Sequence, residues 1–94
     1  MKQYTITDYD KAFEAYKQSH EGATNYDFWR LLKNAEAMPI GSKQAWILTE
    51  KDGSKYLQSY HTIVSMKFVG EEIQSLGKWS RTTSNHQRLF WSLV

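Results

Sequence analysis

The chain has 94 residues, a formal net charge of +2, 40% hydrophobic and 15% aromatic residues, and no cysteine. That length holds one domain, because two smaller cores could not offset the entropy of ordering them. The missing thiols exclude disulfides, thiolate chemistry and cysteine-ligated metal centres, and so small a charge does not by itself indicate nucleic acid. Four Trp, six Tyr and four Phe supply large apolar areas in few positions, which argues for a packed globule and against disorder. Met1-Lys2-Gln3-Tyr4 does not lead into the apolar stretch of a signal peptide. The longest apolar runs, such as Ala45–Leu48, fall far short of the roughly 20 residues a membrane helix needs. A soluble, cytoplasmic protein with no membrane association is expected.

In chain order, Met1–Ile6 alternates weakly and reads either as a short strand or as an extended lead-in. Asp8–His20 follows as a helix, with Tyr9, Ala12, Phe13 and Tyr16 at i, i+3, i+4 and i+7. Thr7 or Asp8 can cap it, and Glu21-Gly22 supplies the stop. Thr24 and Asp27 have the spacing of a capping box before a second helix over Tyr26–Ala37, whose inner face carries Phe28, Leu31, Leu32 and Ala35. Trp29 lies beside that face, at its edge. Pro39 disfavours helical geometry at Met38 and ends the element.

The pattern then turns to strands. Gln44–Thr49 and Lys55–Tyr60 flank an Asp52-Gly53 turn, a hairpin signature. His61–Val69 is β-rich; its alternation places Val64, Met66 and Phe68 inward, opposite Ile63, Ser65, Lys67 and Val69. Gly70-Glu71-Glu72 turns the chain into a last strand over Ile73–Ser80. Thr82-Thr83-Ser84 reads as a capping cluster for a final helix, with His86, Leu89, Phe90 and Leu93 toward the core. The expected architecture is α+β: an N-terminal helical pair, a three- or four-stranded antiparallel meander, and a C-terminal helix packed on the sheet.

The candidate chemistry is sparse. His20, His61 and His86 match no metal-ligand spacing, and no cofactor or metal is expected. His20 closes a helix, where an imidazolium complements the dipole, while His86 has the position of a hydrogen-bonded core histidine. Ser80, Thr82, Thr83 and Ser84 neighbour His86, yet there is no nucleophile elbow and no nearby acid to orient the imidazole. Glu71 and Glu72 are adjacent, so their side chains diverge and do not form an acid/base pair. Gly41-Ser42-Lys43 lacks the second glycine and the strand-to-helix context of a phosphate loop.

The charge distribution is more informative than its sum. No acid follows Glu72, whereas Lys78, Arg81 and Arg88 do, interleaved with Trp79 and Trp91. Trp91 lies off the Leu89/Phe90/Leu93 stripe, and both exposed and buried placements stay open. Trp79 is expected to wedge beneath a loop. Exposed Trp and Arg anchor protein interfaces and also stack on bases. Lys78, Arg81, Arg88 and Trp91 are therefore the candidate partner-binding residues. The helix start offers a possible anion site, where amides, Thr82, Thr83 and Arg81 converge.

Two stretches carry a resemblance. Tyr56-Leu57-Gln58-Ser59-Tyr60-His61-Thr62-Ile63-Val64, with Gly77-Lys78-Trp79-Ser80-Arg81-Thr82-Thr83-Ser84-Asn85-His86 and then Phe90, resembles a pattern in small bacteriophage and prophage proteins of unknown function. It covers the C-terminal part of the chain only. The resemblance implies a phage or mobile-element origin and a small accessory protein that binds a host factor, but no activity; the N-terminal helices lie outside it. Asn85 stands where a basic residue would suit a nucleic-acid reading. The leading expectation is thus a small non-enzymatic, phage-derived protein that docks on a host or phage protein. A nucleic-acid binder using Lys78, Arg81, Arg88 and Trp91 comes second, and an enzyme acting through His86 and a neighbouring hydroxyl third.

Overall fold

The computed structural model describes residues 10–41, 45–76 and 81–94, the side chain of Thr82 excepted. The Met1–Ile6 segment, the caps at Thr7 and Asp8, most of Gly41-Ser42-Lys43, and Lys78, Trp79 and Ser80 lie outside the described residues.

Helix α1 spans Asp10–Ser19 and buries Ala12 and Tyr16, the apolar positions its periodicity marks. His20 then bonds through Nδ1 to the Tyr16 carbonyl at 3.1 Å. A carbonyl only accepts, so Nδ1 carries the proton. Gly22 takes φ +84°, the left-handed geometry that ends a helix at low cost for glycine. Helix α2 spans Asn25–Asn34. Its capping box is complete: the Asp27 amide donates to Thr24 Oγ1 and the Thr24 amide to Asp27 Oδ2, both at 3.1 Å.

α2 ends sooner than its sequence periodicity suggests. Ala35 is already extended (ψ 151°), and Glu36–Pro39 becomes strand β1, paired antiparallel with Trp46–Thr49 of β2 (Ala45–Thr49). The pairing satisfies more backbone groups than a frayed helical turn would. Pro39, which has no amide to donate, is tolerated because β1 is an edge strand. The sheet continues through β3 (Lys55–Ser59), β4 (Thr62–Lys67) and the two-residue β5 (Gln74–Ser75), in the order β1-β2-β3-β4-β5. Among the described residues the meander therefore has five strands. The β2–β3 turn forms as expected, with Gly53 at φ +97° and the Ser54 amide donating to Asp52 Oδ1 at 2.8 Å.

A bulge resets the alternation of β4. Leu57 pairs with Ser65 but Gln58 pairs with Ile63, so Val64 is the extra residue. Beyond it the faces exchange. Met66 and Phe68 pack toward α1 and α2 together with Ile63, whereas Val64 packs in the cluster on the opposite side. The inward placement expected for Met66 and Phe68 is met; Val64 and Ile63 are exchanged.

The sheet is buried on both faces. One carries Trp46, Leu48, Tyr56, Ile63, Met66 and Phe68 against Tyr16, Phe28 and Leu32 of the helical pair. The other carries Ile40, Ala45, Ile47, Leu57 and Val64 against Phe90 of α3 (Arg81–Leu93). The result is an α+β domain of three layers. α3 is rotated relative to its predicted stripe. Thr83, His86, Gln87 and Phe90 are buried, while Leu93 is 52% exposed. Thr83 is not a cap but an inward side chain, because the sheet beneath offers it a hydroxyl partner.

Candidate functional site

Three side-chain groups can be weighed as sites. The first is the predicted set on α3. Arg81, Arg88 and Trp91 are all exposed; the spacing puts Arg81 and Arg88 on the side of α3 away from Thr83, His86 and Phe90, with Trp91 on the flank, one turn beyond Gln87. The fold thus gathers three of the four candidates on one helical face; Lys78 lies outside the described residues. The anion site expected at the start of this helix loses one member, since the Thr83 hydroxyl is buried against the sheet.

The second group lies beneath that helix. Ser59 Oγ is 2.8 Å from His86 Nδ1 and 3.0 Å from Thr83 Oγ1. These residues come from the two separate stretches that carry the family resemblance. Burial holds the His86 imidazole below its ordinary pKa, so it is neutral at pH 7. A serine hydroxyl beside a neutral imidazole has the composition of an activated nucleophile. Yet Ser59 and His86 are both almost wholly buried, and no substrate carbonyl can reach the hydroxyl while α3 is seated. Beside them, Gln87 Nε2 donates to the Val64 carbonyl, Ser65 Oγ and Ser75 Oγ at 3.0, 2.9 and 3.0 Å. The cluster pins α3 to β3, β4 and β5.

The third group was not singled out by sequence. On the outward face of α2, Tyr26 is 62% and Trp29 37% exposed; their rings stack with centroids 5.9 Å apart at 26°. Arg30 lies over the Tyr26 ring at 5.8 Å and Lys33 over the Trp29 ring at 4.8 Å, both within cation–π range. The signal was present as Tyr26, Trp29, Arg30 and Lys33 at i, i+3, i+4 and i+7. The apolar periodicity of α2 sets Trp29 at the edge of the inner face, which hides this spacing.

Beside this ridge lies a groove of about 340 Å³ lined by Asp27, Arg30, Leu31, Asn34, Ala35, Glu50 and Lys51. Leu31 and Ala35 supply apolar surface, and Arg30 belongs to both ridge and groove. Glu50 Oε2 accepts the Tyr56 hydroxyl at 2.8 Å. Burial pushes the Glu50 carboxyl above the usual range, with Asp52 adding to the rise and the Tyr56 hydroxyl opposing it. Burial, then the Glu50 carboxylate, pushes the Tyr56 phenol far above its ordinary value, so Tyr56 remains the donor. A concave, partly apolar recess with a perturbed carboxyl is the usual form of a binding site.

A family of unknown function, DUF8033, matches residues 33–92. The chain belongs to DUF8033. No curated protein and no solved structure matches it significantly. The DUF8033 span takes in the whole sheet, the Ser59–Thr83–His86 cluster and nearly all of α3. Tyr26, Trp29 and Arg30 precede it, and Lys33 is its first residue. No helix among the described residues is long and apolar enough to cross a membrane.

Proposed function

We propose that this DUF8033 member is a small non-enzymatic, phage-derived protein that works in the host cytoplasm by docking on another protein through α2. The observation that carries this reading is the Tyr26–Trp29–Arg30–Lys33 ridge beside its groove. Trp, Tyr and Arg are the residue types that dominate binding energy at protein interfaces, and all three fall within a short stretch of one exposed helix face. Three of its four residues, Tyr26, Trp29 and Arg30, precede the DUF8033 span. The phage origin rests on the sequence resemblance. A non-enzymatic role is supported by the closure of the Ser59–His86 contact beneath α3.

A photo-reactive phenylalanine analogue at Trp29, with another at exposed Glu71 as control, tests the docking. Cross-linking to a discrete protein from position 29 and not from 71 is the expected outcome. Labelling of nucleic acid, or equal background at both positions, would sink it.

A second reading, nucleic-acid binding through α3, is favoured by Arg81, Arg88 and Trp91 sharing one exposed face. Phosphate contacts weaken steeply as salt rises. Anisotropy of a labelled oligonucleotide across a salt series decides it, and Arg81→Ala with Arg88→Ala must flatten the salt slope.

A further inference from the structure

The ridge and its groove also carry a charge pattern, and it selects among partners. Resting on the docking reading above, we infer that α2 takes an acidic peptide segment of the partner. Its carboxylates meet Arg30, Lys33 and Lys51, and an apolar side chain lies on Leu31 and Ala35.

The cations carry the first part of this inference. Among the described residues the ion pair within 4.0 Å is Lys17–Glu14, on α1. Arg30, Lys33 and Lys51 are not neutralised by a carboxylate at that distance, although Asp27 and Glu50 line the same groove. Asp27 accepts the Thr24 amide and Glu50 the Tyr56 hydroxyl; both keep their charge, so they balance Arg30 and Lys51 within the groove, and the positive excess is that of the ridge, where Lys33 joins Arg30. A cation held over a ring keeps its full charge, and its remaining N–H groups can donate to a carboxylate. The ridge therefore presents two positive groups and no negative one at positions 26, 29, 30 and 33.

The rings separate a peptide from a nucleic-acid strand. Base stacking needs open π faces. Here Tyr26 and Trp29 stack on each other, and each ring also carries a cation. Much of the π surface is thus taken within the chain, while the ring edges and the groove stay available for apolar side chains. The groove volume of about 340 Å³ lies at the low end for ligand pockets, which suits inserted side chains.

The test uses the full chain and fluorescence anisotropy with three labelled probes: a peptide alternating Glu and Leu, its Lys–Leu counterpart, and oligothymidine. The acidic peptide is expected to bind at least about tenfold more tightly than the basic one, a gap of ~1.4 kcal/mol. The affinity should fall as salt shortens the Debye length below ~10 Å. Arg30→Glu with Lys33→Glu should abolish the preference, and Lys33→Gln alone should weaken it. Arg81→Glu with Arg88→Glu, on α3 across the sheet, should change it less than about twofold, the scale of a rim charge removed from the contact. Circular dichroism confirms that each variant is folded.

Equal binding of the two peptides, an undiminished preference in the double reversal, or tighter binding of oligothymidine overturns the inference. If position 29 still cross-links a protein while the acidic preference is absent, the peptide chemistry falls and docking through α2 stands. Loss of both removes the two together.

Discussion

The two faces of the sheet are closed by different means. Under α1 and α2 the packing is aromatic: Phe28 lies 4.7 Å from Tyr16 and 5.8 Å from Tyr56, and Tyr56 lies 6.2 Å from Phe68, ring centroid to centroid. Under α3 the hydrophobic set is smaller, and Ser59, Ser65, Thr83, His86 and Gln87 are buried with it. An aromatic face is held by area and volume, so it responds to what is deleted. A polar face is held by specific partners, so it responds to which group is left behind. Each face carries a helix with a basic and aromatic outer side, α2 beside α1 on one and α3 on the other. The two candidate surfaces therefore lie on opposite sides of the sheet and cannot merge into one.

The largest break in this comparison is expected at Phe28. Phe28→Ala removes a fully buried ring and should cost about 3–5 kcal/mol, read as the shift in urea midpoint at constant slope. Phe28→Leu retains much of the volume and should cost clearly less. On the other face, Gln87→Leu keeps volume but withdraws a donor from Val64, Ser65 and Ser75. A loss of about 1–3 kcal/mol is expected. Near-neutral behaviour would mean that this face, too, is held by area alone.

A smaller effect separates backbone from packing at the junction of β1 and β2. Gly41 has φ +54°, and a Cβ there would stand 2.8 Å from Leu89 Cδ2. The Leu89 tip can move, but the left-handed backbone cannot relax, so Gly41→Ala should cost about 1–2 kcal/mol. Adding Leu89→Ala should not restore the melting temperature. Full rescue would show that the clash, not the conformation, sets the cost.

The smallest effect is in pH, where the two faces should have opposite signs. The His86 pKa is lowered in the folded state, so the unfolded chain binds the extra proton. Stability from this group is complete above the unfolded value of about 6.5 and is lost as pH falls toward the lower folded value. Glu50 is raised, so its contribution is complete below the unfolded value of about 4.3 and fades as pH climbs through the folded value. Urea melts across pH should show His86→Gln flattening the first limb and Glu50→Gln the second. Unchanged limbs in both variants would remove the assignment.

Local signals in the chain were sufficient for much of this. The Thr24–Asp27 capping box, the Asp52-Gly53 turn, the stripe of α1, the β character of the central segments and the α+β class all follow from interactions between residues near in sequence. Arg81, Arg88 and Trp91 stand out in the sequence as a basic-aromatic group, but only the fold shows all three exposed on α3. His86 was read as a buried, hydrogen-bonded residue, and it is one. Tertiary structure alone decided the rest. β1 exists because β2 is there to pair with it. The bulge at Val64 exchanges the faces of β4, which no alternation within the strand reveals. The roll of α3 toward Thr83 and Gln87, away from Leu93, follows from Ser59, Ser65 and Ser75, which are distant in sequence. The α2 ridge became a candidate once the fold showed Trp29 outside the core. Helix caps and turns are settled within a few residues; strand register and the choice of buried face depend on partners the chain meets only when folded.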